Sequence, residues 1–430
     1  MANTLMLGWE FPPLFSGGLG VATYGMVKAL SRNNSIRLII PSASTIDLQN
    51  VNIVGLNKVY AEEIHLEKLR FDFSFLENVH QLSIAISPYH HINENLETIS
   101  KDEFELLIEG KATVSTIHHL FSGKEVYGRD IMHKVYVFSK LAEQIAMNSE
   151  FDLIHAHDWV TYQAGINIKL KTGKPLILHV HALETDRAGE SARNEIYELE
   201  KGAMLIADKI IAVSQYTKNQ IALHYGIDPS KISVVHNGID LAKPERKKHQ
   251  LKDKLVVFLG RLTNQKGPEF LLETARKVCT VYPRVKFVVA GTGDMFTHLL
   301  ETSAYHKLGS KFIFTGFLSK EKANELLSMA DVYFMPSVSE PFGLTALEAA
   351  QHQVPSVISN RSGASEVISS SLSADFWDTD KYANYIHALL RYHALSKELA
   401  VKANQQLDSL TWNHASEKIE KIYREILNNN

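Results

Sequence analysis

Two histidine pairs of the form H-x-H are the residues best placed to do chemistry in the first half of this chain. His155 and His157 occur in LIHAHDW, and His179 and His181 occur in ILHVHA. Each pair lies in an apolar run typical of a buried strand, where residues i and i+2 point to the same face. Each pair could therefore aim two imidazoles at one point, either as metal ligands or as polar groups beside a substrate.

Charged residues at the ends of apolar runs provide the candidate chemistry of the second half. In FLGRLTNQKGPE, Arg261 follows a strand pattern and Lys266 precedes a helical one, which suits a diphosphate, although such cations are often only solvated. In SVSEPFGLTALEAA, Glu340 lies in a loop and Glu348 lies on the helix that follows. The two carboxylates could face one ligand. Alternatively, Glu340 could interact only with the helix dipole and Glu348 could be a solvated helical residue.

A glycine-rich loop, FPPLFSGGLG, precedes a helical pattern near the start of the chain. Gly17, Gly18 and Gly20 could let a phosphate approach free backbone N–H groups, or they could form only a tight turn. Their spacing is not the dinucleotide G-x-G-x-x-G, and no P-loop pattern occurs anywhere in the sequence. The loop therefore indicates an anion site only in combination with other motifs.

Length and composition limit the class of protein. The 430 residues suit two domains of roughly 200 residues each. A net charge of −3 argues against a protein that mainly binds nucleic acid. The single cysteine, Cys279, lies in a helical pattern and is interpreted as a packing residue, and no stretch of 18 apolar residues could span a membrane. With no signal peptide recognised at the N-terminus, we expect a soluble, cytoplasmic protein.

Short apolar runs alternate with helical patterns over most of the sequence. The runs predict strands at 5–9, 37–41, 151–157, 175–181, 209–214, 232–237, 255–260, 285–291, 311–316, 331–336 and 355–359. The intervening patterns predict helices at 160–171, 214–225, 268–282, 319–330 and 343–352. Because the strands are continuously apolar, they must be covered on both faces, as in parallel sheets flanked by helices. The fold class is α/β, with two Rossmann-like, doubly wound parallel-sheet domains facing an interdomain cleft.

The domain boundaries follow from one polar segment. Residues 244–254 are dense in charge and are predicted to be a linker between an N-terminal domain, 1–243, and a C-terminal domain, 255–410. Residues 42–148 fit the alternation poorly and are treated as an insertion; within them, residues 70–87 could form strands and residues 131–148 a long helix. The helix predicted at 411–430 has an apolar stripe by which it would dock back on the N-terminal domain.

Seven motifs in order resemble the retaining glycosyltransferases of family four and their relatives, the glycogen and starch synthases, which have the GT-B fold. The motifs are GWEFPPLFSGGLG, HAHDW, ILHVHA, VVHNGID, GRLTNQKG, AGTGD and SEPFGLTALEA. They extend over nearly the whole chain outside 42–148. The resemblance implies a glucosyltransferase that takes glucose from a nucleotide sugar, ADP- or UDP-glucose, and adds it to the non-reducing end of an α-1,4-glucan. A family-four enzyme with another carbohydrate acceptor is the alternative.

The same resemblance implies a role for each matching residue. Arg261 and Lys266 would neutralise the diphosphate without a metal or other cofactor, and His181 would lie beside the reacting sugar. Glu340 would bind sugar hydroxyls and Asp158 would lie on the acceptor side. Gly18 would donate its backbone N–H to the diphosphate, and Glu348 would bind the ribose hydroxyls. The sugar pocket would be completed by Phe342, Gly343, Leu344 and Thr345.

Two departures from the family pattern and two rival functions remain open. The synthases carry Lys-Thr-Gly-Gly where this chain has Phe15, Ser16, Gly17 and Gly18, so one cation expected near the diphosphate is missing. His179 replaces a small hydroxyl residue and is interpreted as structural. A metal-dependent hydrolase using the H-x-H pairs and a non-catalytic sugar-nucleotide-binding protein are the alternatives from other classes. The D-x-D of residues 378–380 is interpreted as a helix cap.

Overall fold

The computed structural model describes residues 2–13, 17–69, 71, 101–122, 127, 130–242, 244–247, 249 and 251–428. These residues form two compact units. The first comprises Met1–Val213, Lys218–Gly238 and Trp412–Asn430, and the second comprises Ser214–Thr217 and Ile239–Thr411. The strand pattern noted at 70–87 lies almost entirely outside the described residues, as do Phe15 and Ser16.

The strands alternate with helices along both units. The strands are β1 Asn3–Leu7, β2 Ser35–Ile40, β3 Val51–Gly55, β4 Leu153–His157, β5 Leu176–Val180, β6 Lys209–Ala212, β7 Ile232–Val234, β8 Lys254–Leu259, β9 Val285–Ala290, β10 Phe312–Gly316, β11 Val332–Met335, β12 Ser356–Ser359 and β13 Leu372–Ala374. The helices are α1 Gly18–Leu30, α2 Lys101–Ile108, α3 Val114–Ser122, α4 Ile131–Met147, α5 Trp159–Thr172, α6 Glu184–Arg187, α7 Glu195–Ile206, α8 Gln215–Tyr225, α9 Pro268–Val281, α10 Phe296–Tyr305, α11 Lys320–Met329, α12 Leu344–Gln351, α13 Ala364–Val367, α14 Thr379–Arg391, α15 His393–Gln406 and α16 Trp412–Asn428.

Each unit is built on one parallel sheet. Among the described residues, the first sheet has the order β3-β2-β1-β4-β5-β6-β7 and the second has the order β10-β9-β8-β11-β12-β13. All pairings are parallel. In each sheet the first three strands lie on one side and the later strands on the other, so the strand order changes side at β1/β4 and at β8/β11. Ligands of such sheets bind beyond the carboxyl ends of the strands, near this point. The predicted α/β class with two parallel sheets is confirmed.

The first sheet is buried on both faces, which explains its continuously apolar strands. One face packs in a cluster with α4, α5 and α7, and includes Ile154 and Leu178. The other face packs in a second cluster with α1 and α16, and includes Leu153 and Ile177. Burial of each large aliphatic side chain stabilises the fold by about 1.5–3 kcal/mol.

The C-terminal helix α16 belongs to the first unit. Its predicted stripe is buried, with Ile419, Ile422, Tyr423 and Ile426 facing the cluster that contains α1. Close approach of the two helices requires a glycine on α1, because a Cβ at Gly25 would lie 2.2 Å from Cε2 of Trp412.

The second unit has its own core, in which strands of the second sheet pack with α9 and α14. Cys279 on α9 packs against this core, and burial raises the pKa of its thiol to about 11. Asp378 accepts a hydrogen bond from the amide of Lys381 at 3.0 Å, which confirms the helix cap predicted for residues 378–380. No helix among the described stretches is long and apolar enough to cross a membrane.

Candidate functional site

The first candidate group is a stack of four imidazoles on neighbouring strands. His155 and His157 on β4 point to the face that α16 covers, and the register pairs His157 with His179 on β5. His181 comes immediately after β5 and is more exposed than the other three, which are fully buried. Ring centroids of neighbouring histidines lie 4.4–5.4 Å apart, with interplanar angles of 9–28°.

Hydrogen bonds divide the stack into two pairs that run across the strands. His155 Nε2 lies 3.2 Å from His179 Nδ1, and His157 Nδ1 lies 3.0 Å from His181 Nε2. His155 Nδ1 is also 2.6 Å from the hydroxyl oxygen of Tyr423, so α16 closes the end of the stack. His179 is therefore a buried neighbour of His181, as predicted, although its Nε2 has no hydrogen-bond partner among the described residues.

Burial keeps the four rings neutral. It lowers the pKa of His155 and of His181 to about 3. It lowers the pKa of His157 and of His179 well below the usual value. The neighbouring histidines lower the pKa of each ring except His181 further. Ligand atoms of three of the rings, His155, His157 and His179, lie within 4.8 Å of one another. Both ring nitrogens of His155 already make hydrogen bonds, to His179 and to Tyr423, so a metal bound by this cluster would have to displace one of them.

Asp158 supports the loop that carries His181. It follows β4 with a positive φ of 58°, and its carboxylate accepts hydrogen bonds from the amides of His181 at 2.7 Å and Ala182 at 3.3 Å. Burial raises its pKa to about 7, while the Arg187 guanidinium and these two amides act in the opposite direction. The structure thus brings Asp158 and His181 together through the backbone, a contact that the motifs did not indicate.

A buried ionic cluster lies just beyond this loop, and the sequence did not reveal it. Arg187 Nε donates to Glu184 at 2.9 Å, and its Nη2 donates to Glu200 at 2.7 Å. Glu200 also accepts from the Tyr225 hydroxyl and from the amide of Glu184. Burial raises the pKa of Glu200 to about 8, although the Arg187 guanidinium, the Tyr225 hydroxyl and the amide of Glu184 act in the opposite direction. Glu200 could not be recognised because a glutamate in a helix normally faces solvent.

The second candidate group lies at the carboxyl ends of β8 and β11. Arg261 follows β8, and Lys266 ends a short turn before α9. Lys266 Nζ lies 2.6 Å from Glu340 Oε2, and the Ser337 hydroxyl donates to the same oxygen at 3.2 Å. The side chains of Lys266 and Glu340 are only 18% and 9% exposed, so this ion pair is shielded from water. The structure brings together two of the predicted residues that are 74 positions apart.

The loop after β11 leads into α12 as the sequence indicated. Gly343 has a φ of 95° and precedes the first helical residue, Leu344. Thr345 Oγ1 lies 2.6 Å from the Tyr333 hydroxyl, which fixes the first turn of α12 on its own sheet. Glu348 lies one turn further along, and burial raises the pKa of its carboxyl. Phe342, which belongs to the same loop, is buried.

Glycines shape two further loops. Gly18 is the first residue of α1, so the helix begins inside the glycine-rich segment that was expected to precede it, and Gly17 before it is extended. In the AGTGD loop after β9, Gly291 has a φ of 143°, and a Cβ there would lie 1.8 Å from the Gly260 carbonyl oxygen. The loops after β8 and β9 can therefore meet only because this residue is glycine.

Comparison with known sequences finds a glycosyltransferase family in each half of the chain. The family described as Glycosyl transferases group 1 matches residues 241–406, and that described as Glycosyltransferase Family 4 matches residues 125–243. An uncharacterized glycosyltransferase of Methanocaldococcus jannaschii is 25% identical over 84% of this chain and 82% of its own length. Glycogen synthase of Mycobacterium tuberculosis is 26% identical over 63% and 68%, and alpha-maltose-1-phosphate synthase of Mycolicibacterium smegmatis is 29% identical over 64% and 79%.

Comparison with solved structures concerns the fold. Sucrose-phosphate synthase from Thermosynechococcus elongatus superposes with a TM-score of 0.72 over the full length of both chains at 15% identity. A glycosyltransferase family model matches each half of the chain, and the structural neighbours have the GT-B fold, so the chain is a glycosyltransferase of family-four type, a transferase enzyme with the GT-B fold.

Proposed function

We propose that the enzyme transfers glucose from ADP- or UDP-glucose to the non-reducing end of an α-1,4-glucan, with retention of the anomeric configuration. The observation that carries this proposal is the shielded pair of Lys266 and Glu340, 2.6 Å apart beyond the ends of β8 and β11. It combines a cation for a diphosphate with a carboxylate for sugar hydroxyls at one point. The similarity to a glycogen synthase supports the choice of substrate.

Lys266 and Arg261 act on the leaving group in this proposal. As the glycosidic bond breaks, negative charge accumulates on the departing diphosphate, and fixed cations stabilise it without a metal. Because Lys266 is paired with Glu340 in the structure, the arriving diphosphate takes over the ammonium group and leaves the carboxylate ready to accept sugar hydroxyls. The proposal therefore requires no metal and no further cofactor.

The helix α12 and the loop before it complete the donor site of the second unit. The amide N–H groups around Phe342, Gly343 and Leu344 lie at the start of α12, where the helix dipole favours negatively polarised oxygens. Thr345 adds a hydroxyl, and Glu348 is assigned to the ribose hydroxyls. Its raised pKa reflects the cost of holding a carboxylate away from water until hydroxyl donors arrive.

Three residues of the first unit remain assigned from the family motifs. His181 is the neutral imidazole that contacts a hydroxyl of the transferred sugar, and Gly18 offers a backbone N–H to the diphosphate. Asp158 is assigned to the acceptor side, and its contact with the amides of His181 and Ala182 gives it a supporting role there.

The acceptor is the part of the proposal with a specific rival. Alpha-maltose-1-phosphate synthase is as similar to this chain as glycogen synthase is, so a smaller carbohydrate acceptor is the second candidate. A cytoplasmic location is also proposed, because the one cysteine is a half-buried free thiol of raised pKa that packs against the second core rather than part of a disulfide framework.

Nucleotide release tests the proposal. The purified chain is incubated with ADP-, UDP- and GDP-glucose, with and without glycogen, and the liberated nucleoside diphosphate is measured. Lys266→Ala is expected to lower kcat by about 10²–10³-fold, the effect of losing one group that stabilises developing charge. Lys247→Ala is the matched control, since Lys247 forms an exposed ion pair with Glu325 at 3.0 Å in the same unit. Equal activity of the two variants would refute the donor-site assignment.

A further inference from the structure

His157 is a fully buried histidine with one partnered and one unpartnered ring nitrogen. Its Nδ1 lies 3.0 Å from Nε2 of His181, whereas its Nε2 has no hydrogen-bond partner among the described residues. His157 comes from β4 and His181 follows β5, so the bond ties together the carboxyl ends of two adjacent strands. The assigned role of His181 does not account for this contact.

The unpartnered nitrogen determines which ring donates the hydrogen bond. Each neutral imidazole carries one N–H, so one of the two rings must donate and the other must accept. If His157 carried its proton on Nε2, a buried N–H donor would have no acceptor, and such orphaned donors are rare in proteins. The proton is therefore on Nδ1 of His157, and this N–H donates to Nε2 of His181.

We propose that His157 is a positioning residue that holds His181 as its Nδ1–H tautomer. Because Nε2 of His181 accepts from His157, the only proton of the His181 ring lies on Nδ1. His181 then presents an N–H donor, rather than a basic lone pair, to a hydroxyl oxygen of the sugar. This inference deepens the proposed function and rests on it only for the identity of the group that receives the N–H.

The second pair of the stack provides a matched control. His155 is as buried as His157, lies on the same face of the same strand and pairs with His179 at 3.2 Å. It makes no hydrogen bond with either ring nitrogen of His181. Replacing His155 with leucine therefore removes an imidazole from the same stack without removing the bond that sets the His181 tautomer.

The test uses the full chain labelled with ¹⁵N-histidine and long-range ¹H–¹⁵N correlation spectra, in which the two neutral tautomers give different cross-peak patterns. The His181 signals are identified by their loss in His181→Gln. We expect His181 as Nδ1–H in the unsubstituted protein, in His155→Leu and in His157→Asn, whose amide N–H replaces the Nδ1–H donor. In His157→Leu, His181 should appear as its Nε2–H tautomer, and kcat should fall about 10–100-fold, because the partner that orients a functional histidine is lost. In His157→Asn, both the Nδ1–H tautomer and kcat should be retained.

Several outcomes would overturn the inference. They are an Nε2–H tautomer of His181 in the unsubstituted protein, an unchanged tautomer in His157→Leu, or equal losses of kcat in His155→Leu and His157→Leu. Stoichiometric binding of added Zn²⁺ that disappears in both leucine variants would show a metal site instead. If either variant fails to fold, the spectrum of the unsubstituted protein still decides. If no nucleotide sugar is turned over, the proposed function fails while the tautomer test remains valid.

Discussion

Acidification should destabilise the first unit through its buried histidines, and His155 allows the effect of one residue to be measured. Burial lowers the pKa of His155 to about 3 in the folded state, against about 6.5 in the unfolded chain. The unfolded chain therefore binds the extra proton between these values. Stability from the neutral ring is complete above pH 6.5 and is lost as the pH falls towards 3.

The size of the effect follows from this pKa difference. At pH 7 the unfolded ring is mostly neutral, so the contribution is small. At pH 5 the proton taken up on unfolding costs the folded state about 2 kcal/mol for this one histidine. Glutamine at position 155 cannot titrate, so the stability of the unsubstituted protein relative to His155→Gln should fall by about 2 kcal/mol between pH 7 and pH 5. The raised pKa values of Asp158 and Glu200 affect both proteins alike and cancel in this comparison.

Tryptophan fluorescence during urea unfolding can follow the first unit alone. Trp9, Trp159 and Trp412 are buried in that unit, whereas Trp377 belongs to the second and is exposed. Both proteins would therefore carry Trp377→Phe, and unfolding free energies would be compared at pH 5, 6 and 7. A difference between the two proteins that does not change with pH would show that His155 titrates normally, and would refute the account of the stack as four neutral rings.

Two further predictions concern stability. Gly25→Ala should destabilise the first unit by about 1–3 kcal/mol, because the new Cβ overlaps Trp412. The control is Gly202→Ala, in a helix where a Cβ would have no atom within 4 Å, and it should be neutral or stabilise by up to about 1 kcal/mol. Equal melting temperatures of the two variants would contradict the packing of α1 on α16. Arg187→Met should destabilise by about 3–5 kcal/mol, because two buried carboxylates lose their guanidinium, and urea unfolding with an unchanged midpoint would show that the cluster is not buried.

The strands were predictable where the sequence contains a continuous apolar run, and β3 and β13, which lack one, were missed. Both are edge strands of their sheets, Val51–Gly55 and Leu372–Ala374, and both are only partly buried. Partial burial mixes polar with apolar residues and removes the pattern. By contrast, α4 and α16 were anticipated to within a few residues because their apolar stripes are long.

The sequence predicted which strands carry the histidines of the candidate site, but not which side chains pair with one another. Alternation on β4 and β5 put each histidine pair on one face, and this holds in the structure. The pairing of the four histidine rings depends on the register between β4 and β5. The pairing of Lys266 with Glu340 depends on two loops that are separated in the sequence by three strands. The role of Asp158 depends on a positive φ that an aspartate rarely adopts. Such contacts are tertiary, and no local pattern encodes them.

The central claim, glucosyl transfer to a glucan, is tested most directly by the product. The enzyme is incubated with radiolabelled ADP- or UDP-glucose and glycogen, and the polymer is then digested with an exo-acting hydrolase specific for α-1,4 linkages at non-reducing ends. The account predicts that label enters the polymer in proportion to nucleotide release and is removed early in the digestion. Nucleotide release without label in the polymer, or label that resists the hydrolase, would contradict it.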